Sequence, residues 1–349
     1  MLLELLTICV LGTVVYCVPY KTWHVAGVSL LYVIKYNILG MLAVMHDLWN
    51  IKRNKIDLPP MPAKIAIVTG GSRGIGAMVV KKLLQCDMEV IIACRTAIMG
   101  EKTVLQLRKS GVTNGRVKVY ELDNSSLESV REFAERIKKE YTKVHILINN
   151  AGVMFPPYQQ TKDGFEEQWA VNYLSHFLLT SLLLPLLKNG GQPDDCSRII
   201  NVTSCAYILG NSNFDSVNCR DKFVTQAVYA QSKLAQVIFT STLQKCLTDR
   251  SLNVRIYSVH PGIVKTDLFN NSYLSKVKLL MIGFKTPEQG AIPIVYTAIN
   301  KDIGMRGGLY INNCKESSIL PKALEPKTQE QLFDLSLKQA QLNDFFQYL

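Results

Sequence analysis

From residue 63 onward, short apolar runs alternate with stretches of helical periodicity, and no other feature of the chain restricts its fold as strongly. Apolar runs of five or six residues are typical of strands that are covered on both faces. Strands that alternate with helices form βαβ units around a parallel sheet. The sequence therefore predicts an α/β fold, a doubly wound parallel sheet of Rossmann type with helices on both faces. The predicted strands cover residues 64–68, 89–94, 117–122, 144–148, 198–202, 254–259 and 308–311, and the predicted helices include 75–87, 99–110, 126–141, 226–247 and a C-terminal helix over 327–345.

Two apolar stretches precede this region, at residues 5–18 and 26–48. A spanning helix needs about 20 apolar residues, and neither stretch is an ideal match. The chain starts without the positive segment of a secretory signal, so we expect residues 1–50 to form a retained membrane anchor. Two arrangements stay open. One is a helical hairpin that enters and leaves the same membrane face, and the other is a helix over 26–48 that lies on the membrane or packs on the domain.

A short basic and proline-rich stretch, residues 51–62, separates the anchor from the predicted catalytic domain at 63–349. Lys52, Arg53 and Lys55 favour the cytosolic side of a membrane, which places the catalytic domain in the cytosol, on the endoplasmic reticulum or a lipid droplet. The prolines at 59, 60 and 62 indicate a stiff linker.

The formal net charge is +11, but this stretch is the one concentrated basic cluster, so a nucleic-acid partner is disfavoured. The nine cysteines include no Cys-x-x-Cys pair, and several lie inside apolar runs. This pattern indicates reduced, buried thiols, with neither a disulfide framework nor a metal site.

A glycine-rich turn joins the first predicted strand to the first helix. Glycines 70, 74 and 76 allow a tight turn and a close approach of the backbone to a pyrophosphate, which the amides at the helix N-terminus would bind. This context between a strand and a helix predicts a dinucleotide cofactor. The residues expected to bind it here are Gly70, Ser72, Arg73, Gly74, Ile75 and Gly76.

The end of the second strand bears on the choice between NADP(H) and NAD(H). An NAD-specific site usually has an acidic residue there, to hold the ribose 2′-hydroxyl. This chain has Arg95 followed by Thr96, and Arg73 lies in the glycine turn. Two guanidinium groups suit a 2′-phosphate, so NADP(H) is favoured and NAD(H) stays open.

Polar and small residues follow later strands at the same predicted sheet edge. Asp123 closes the third strand, where a carboxylate can meet the adenine amino group. Asn150, Ala151 and Gly152 follow the fourth, where a flat cofactor needs small neighbours.

The turn after the sixth strand is also expected to bind the cofactor. The backbone near Ile263 and the hydroxyl of Thr266 are expected to bond the nicotinamide carboxamide, with Pro261 and Gly262 forming the turn.

Tyr229 and Lys233 have the spacing i and i+4, which puts both on one helix face. A nearby ammonium and a positive nicotinamide ring would lower the phenol pKa from its usual value near 10, so Tyr229 is the predicted general acid/base. Ser204 would bond the same substrate oxygen, and Asn172 would hold a water that passes the proton out. Tyr158 and Lys162 share the spacing but fall in a predicted loop, and we reject that pair.

These motifs, in this order, resemble the short-chain dehydrogenase/reductase family over about residues 63–315. The resemblance implies that Asn172, Ser204, Tyr229 and Lys233 form the family's catalytic tetrad, and that Tyr229 and Lys233 also contact the cofactor. Segments 162–167, 176–180 and 284–291 look like the retinol-dehydrogenase-like branch. That branch handles retinoids, and a group within it is associated with polyprenol and dolichal, so the resemblance implies a lipid substrate.

Three functions compete at this stage: a lipid-alcohol oxidoreductase, a membrane scaffold that binds NADP without turnover, and a reductase of a soluble carbonyl compound. The complete tetrad favours an enzyme, and the apolar segment 263–285, a predicted substrate lid, favours a lipid. A homo-oligomer stays open, because this segment could instead pack on a partner subunit or on the bilayer. The apolar residues of the lid are Leu268, Phe269, Tyr273, Leu274, Val277, Leu279, Leu280, Met281 and Ile282.

Overall fold

The structure, a computed structural model, describes residues 20–269 and 283–349. The predicted apolar stretch 5–18 and the lid residues from Tyr273 to Ile282 lie outside the described residues. Every other predicted strand and helix falls within them.

The central strands are buried on both faces because most of their residues are apolar, as in β2 and β5, where every residue is buried. The strand β3 is instead partly exposed. They form one sheet in the order β3-β2-β1-β4-β5-β6-β7-β8, parallel except for the pairing of β7 with β8. The strands are β1 (Ile65–Thr69), β2 (Glu89–Cys94), β3 (Arg116–Glu121), β4 (Ile146–Asn149), β5 (Ser197–Val202), β6 (Val254–His260), β7 (Leu309–Asn312) and β8 (Lys315–Ser317).

Helices cover both faces of this sheet, each over its own apolar core. Val79, Leu83 and Ile294 belong to one core, and Phe177 and Phe239 to the other. The predicted doubly wound Rossmann-type sheet is therefore confirmed. The helices are α1 (Tyr20–Asn50), α2 (Gly74–Gln85), α3 (Ala97–Lys109), α4 (Leu127–Glu140), α5 (Glu167–Trp169), α6 (Ser175–Gly190), α7 (Thr225–Asp249), α8 (Pro287–Ile299), α9 (Pro321–Leu324) and α10 (Pro326–Ala340), with a π-helical turn at Ala170–Leu174.

Two elements differ from the predictions. The antiparallel edge strand β8 was not predicted, because its three residues include the charged Lys315 and Glu316 and give no apolar run. The predicted helix 327–345 ends earlier, at Ala340, because Gln341 adopts a left-handed conformation with φ of 54°.

The helix α1 includes the whole apolar stretch 26–48 and packs on the catalytic domain. The hydroxyls of Tyr32 and Tyr36 donate to the carbonyl oxygens of Leu209 and Gln226, at 3.3 and 2.9 Å. Among the described residues, two helical stretches are long and apolar enough to cross a membrane. Glu167–Gly190 is buried in the domain core, whereas Ala26–Asn50 is not.

Candidate active site

The candidate site lies at the carboxyl ends of the parallel strands, where the strand order reverses between β1 and β4. Ligands bind open α/β sheets in this crevice. Two adjoining cavities open there, of about 750 and 400 Å³. They share Ile75, Asn150, Gly152 and Thr266 in their walls, so they form one continuous cleft.

The smaller cavity brings together the residues predicted to bind the adenine, ribose and pyrophosphate of a dinucleotide. Arg73 and Arg95 reach it from different loops, and both side chains are exposed. Arg73 also lies 3.8 Å from Asp267, an ion pair that was not predicted. The predicted residues in its wall are Gly70, Ser72, Arg73, Gly74, Ile75, Gly76, Arg95, Asp123, Asn150, Ala151, Gly152 and Thr266.

The glycine turn leaves no room for a side chain at position 76. Gly70 has φ of +65°, and a Cβ atom at Gly76 would lie 2.2 Å from the carbonyl oxygen of Gly70. The helix α2 therefore begins directly against the end of β1. Within the described residues, no side chain caps its N-terminus, so the first-turn amides face the cleft.

A hydrogen-bond network fixes the turn after β4 to the end of β1. The Thr69 Oγ1 accepts from the amides of Asn150 and Ala151 at 2.9 and 3.0 Å and lies 3.0 Å from His176 Nε2. The other ring nitrogen of His176 lies 3.2 Å from the carbonyl oxygen of Asn172. A carbonyl oxygen only accepts, so Nδ1 carries the proton and Nε2 accepts from the Thr69 hydroxyl.

His176 is neutral in this network, because burial lowers its pKa to about 3. It links the cofactor turn to the π-helical turn that holds Asn172. Sequence reasoning placed His176 only in a family-like segment, and its role depends on contacts across the fold.

Three hydrogen bonds hold the side chain of Asn172. Its Oδ1 accepts from the Val153 amide at 2.8 Å, and its Nδ2 donates to the Val153 carbonyl and to Ser232 Oγ, each at 3.0 Å. The remaining lone pair of Oδ1 can still accept from a water, so the predicted water-holding role stays a prediction. The bonds to Val153 show that Asn172 also clamps the loop that follows Gly152.

Tyr229 and Ser204 meet inside the larger cavity, as predicted. Tyr229 is 5% exposed, and Ser204 lies in the wall of the same cavity. Burial raises the pKa of Tyr229 above its usual value near 10, and the nearby Ser204 side chain offsets part of this increase. The protein alone thus keeps the phenol protonated at neutral pH.

Lys233 follows Tyr229 on α7 at the predicted spacing, and its effect on the phenol pKa, which was predicted together with a bound nicotinamide ring, stays a prediction. Its Nζ lies 5.7 Å from the centre of the Tyr229 ring and donates to the Val202 carbonyl at 2.9 Å and to Gln236 Oε1 at 3.1 Å. Burial lowers the pKa of Lys233 to about 7, so the ammonium is only partly populated at neutral pH.

Tyr158 lies elsewhere, with its hydroxyl donating to the Asn218 carbonyl at 3.1 Å and its ring against Phe223. Its surroundings agree with our rejection of the pair with Lys162.

The loop after β6 lines the larger cavity with Pro261, Gly262 and Ile263. The Ile263 amide donates to Asp47 Oδ2 at 2.8 Å, and its carbonyl accepts from the Lys285 amide at 2.8 Å. Both backbone groups of Ile263 are thus bonded within the protein, although its carbonyl oxygen can accept one more hydrogen bond. The predicted contact of this loop and of the Thr266 hydroxyl with a nicotinamide carboxamide stays a prediction.

A row of aromatic side chains closes the larger cavity beside Tyr229. The ring of Phe155 contacts Tyr229 on one side and Tyr36 of α1 on the other, each edge to face with centres 5.4 Å apart. Phe155 has φ of 58°, which is unusual for a bulky residue, and its amide donates to Gln168 Oε1 at 2.9 Å. This bond helps to hold the strained position.

The helix α1 forms much of the remaining wall, and we did not predict this. Its cavity-lining residues follow helical spacing along one face, while its other face exposes large apolar side chains, Trp49 at 73% among them. The predicted lid residues Leu268 and Phe269 line the same cavity, with Phe284 beside them. The α1 residues in the wall are Val33, Tyr36, Asn37, Leu39, Gly40, Met41, Val44 and Met45.

Comparisons with known proteins agree with this geometry. The family model described as short chain dehydrogenase matches residues 64–276. This chain is a member of the short-chain dehydrogenase/reductase family. It is accordingly an oxidoreductase that uses NAD(P) and acts on an alcohol/carbonyl pair.

Similar proteins place the enzyme in the retinol-dehydrogenase-like branch. It is 38% identical to polyprenol dehydrogenase of Homo sapiens over 80% of this chain and 85% of that protein. It is 38% identical to retinol dehydrogenase 12 of Mus musculus over 79% of this chain and 86% of that protein. A crystal structure of an uncharacterized protein from Mycobacterium paratuberculosis is 30% identical, with a TM-score of 0.67 over 82% of this chain and 96% of that one.

Proposed function

We propose that this enzyme interconverts a lipid alcohol and its aldehyde or ketone, with a substrate of the polyprenol, dolichal or retinoid type. The supporting observation is the larger cavity. It runs from Tyr229 to α1, holds about 750 Å³ and has mainly apolar walls. A small soluble carbonyl compound does not need a cavity of this volume. An apolar wall also offers a polar substrate no hydrogen-bond partners.

Tyr229 is the proposed general acid/base. In carbonyl reduction its Oη gives a proton to the carbonyl oxygen, and in alcohol oxidation it takes the hydroxyl proton. The bound dinucleotide supplies or accepts the hydride at the substrate carbon. Ser204 holds the reacting oxygen beside Tyr229. Burial, which raises the pKa of Tyr229, keeps the proton in place for the reductive direction.

We infer that NADP(H) is preferred over NAD(H). Arg73 and Arg95 line the cleft in which a ribose 2′-phosphate would lie, and β2 ends without a carboxylate. Guanidinium groups bind phosphate through paired, charge-assisted hydrogen bonds. Arg95→Ala should raise the KM for NADPH about tenfold and leave the KM for NADH nearly unchanged.

We propose that α1 lies against a membrane, at the endoplasmic reticulum or a lipid droplet, with the catalytic domain in the cytosol. One face of α1 contacts the domain, and the opposite face exposes Leu31, Ile38 and Leu42. Lys52 and Arg53, both exposed, follow the helix and suit the cytosolic headgroup region. A lipid could then pass between α1 and the bilayer into the cavity. A glycan on Asn270 of the Asn-Asn-Ser sequon in cells would contradict the cytosolic placement.

The test is turnover by the purified full chain in detergent, with NADPH or NADH and with retinal, a polyprenal or a short soluble aldehyde. We expect turnover of a lipid aldehyde with NADPH, and a loss of about 10²- to 10⁴-fold in Tyr229→Phe with NADPH binding retained. Turnover of the short aldehyde alone would support the soluble-substrate function. NADPH binding without turnover of any substrate would support a scaffold.

A further inference from the structure

A buried ion pair joins the end of α1 to the loop that follows β6. Asp47 lies in the last turn of α1 and is 2% exposed, and Lys285 precedes α8 and is 1% exposed. Asp47 Oδ1 and Lys285 Nζ are 2.9 Å apart. Taking two charges out of water costs several kcal/mol per ion, so apolar residues would often be at least as stable here. Stability alone therefore does not explain why two charged residues occupy these buried positions.

Both members of the pair also bond the backbone of Ile263. Asp47 Oδ2 accepts from the Ile263 amide at 2.8 Å, and the Lys285 amide donates to the Ile263 carbonyl at 2.8 Å. The Lys265 amide donates to the Lys285 carbonyl at 2.9 Å, which extends this pairing. The loop between β6 and Thr266 is thus fixed from two directions.

Asn313, in the turn between β7 and β8, completes the network. Its Nδ2 donates to Asp47 Oδ1 at 2.9 Å, and its Oδ1 accepts from Lys285 Nζ and from Asn54 Nδ2, each at 2.7 Å. Both carboxylate oxygens of Asp47 therefore have partners. The charges are held by α1, the segment after it, the loop before α8 and the hairpin turn.

Gly262 brings the loop backbone directly onto the ion pair. Its φ is +96°, and a Cβ atom there would lie 2.5 Å from Lys285 Nζ and 2.6 Å from Asp47 Oδ2. A side chain at this position would displace one of the two charges. The backbone of Gly262 and Ile263 thus rests on the pair, while the same loop lines the cavity that holds Tyr229.

We propose that Asp47 and Lys285 are positioning residues for the nicotinamide end of the cofactor site, so that α1 sets the geometry of the loop that receives the ring. This inference rests on the proposed cofactor site but not on the lipid substrate. The adenine end of the cleft lies at β2 and β3 and has no contact with this network among the described residues. The network should therefore affect the binding of the nicotinamide half of the cofactor and not that of the adenine half.

The test compares Asp47→Asn in the full detergent-solubilised chain with Asp57→Asn, a matched change at an exposed position just after α1. NADPH binding is followed by the emission of the reduced nicotinamide, and adenosine 2′,5′-bisphosphate competes as a probe of the adenine half. We expect Asp47→Asn to weaken NADPH about tenfold and to leave the bisphosphate unchanged, because only the loop loses its charged acceptor. Asp57→Asn should change neither affinity.

Equal weakening of both ligands, or no weakening of either, would overturn the proposal. If Asp47→Asn fails to fold, the double variant Asp47→Asn/Lys285→Met leaves no unpaired buried charge and gives the same comparison. Asp57→Asn serves as the reference for both affinities, and turnover of the unchanged protein is measured in parallel. Failure of the proposed catalytic function would thus show in turnover, and failure of this proposal in the ratio of the two affinities.

Discussion

Gly40 offers a direct test of whether α1 encloses the substrate. It lines the larger cavity, and a Cβ atom there would meet nothing within 4 Å. Gly40→Phe should therefore extend into the cavity without strain, and phenylalanine forms helices at least as readily as glycine. If the new ring displaces about three chain carbons of a lipid, at about 0.8 kcal/mol for each buried CH₂ group, binding loses about 2.4 kcal/mol. That loss corresponds to about a 50-fold decrease in kcat/KM.

The assay measures kcat/KM for a polyprenal and for a short aldehyde, in Gly40→Phe and in Gly27→Phe. Gly27 lies on the same helix, is exposed, and also has open space around its Cβ position. We expect the long substrate to lose about 50-fold in Gly40→Phe only, with the short aldehyde nearly unaffected. Equal kcat/KM for the polyprenal in both variants would refute a substrate path along α1.

Two further predictions concern the cofactor turn and the buried histidine. Gly76→Ala should abolish NADPH binding in a fluorescence titration, because the added Cβ would lie 2.2 Å from the Gly70 carbonyl oxygen and 2.7 Å from Asn150 Nδ2; normal binding would contradict the close packing of α2 on β1. Stability should fall as the pH drops below 6.5, because burial holds the pKa of His176 at about 3 and the unfolded chain then binds a proton that the folded chain does not. For His176 alone, the free energy of unfolding decreases by about 2 kcal/mol at pH 5. His176→Gln should therefore show a smaller decrease in Tm between pH 7.5 and pH 5 than the unchanged protein. Equal decreases in Tm would argue against a neutral buried imidazole.

The sheet and the cofactor turn could be predicted because local sequence determines them. A fully buried parallel strand is apolar at most positions, and a helix that starts close against a strand end favours glycine at its start. β8 gave no such signal. Its hairpin turn has positive φ at both Asn313 and Cys314, and Cys is a rare choice for a position that usually takes Gly.

The proposed catalytic residues could be predicted by type, but their electrostatics could not. The i, i+4 spacing puts Tyr229 and Lys233 on one face, yet it cannot tell where the ammonium points. That depends on the Val202 carbonyl and on Gln236, and the carbonyl comes from another element of the fold. Burial raises the pKa of Tyr229 and lowers the pKa of Lys233, so neither group has the pKa of a solvated side chain.

The role of α1 was harder to predict, because a long apolar helix has no amphipathic pattern to indicate which face meets protein. A weaker signal was present. Tyr36, Gly40, Val44 and Asp47 are spaced by four, four and three residues, so they share one face of the helix. An aromatic hydroxyl, a glycine and a carboxylate on a single face serve no purpose against lipid, where an unpaired charge is costly. Residues of this kind on one face of an otherwise apolar helix indicate that the face is buried in protein, and here it meets Phe155, the larger cavity and Lys285. The apolar opposite face remains free for the membrane, so one helix can serve both as an anchor and as a wall of the active site.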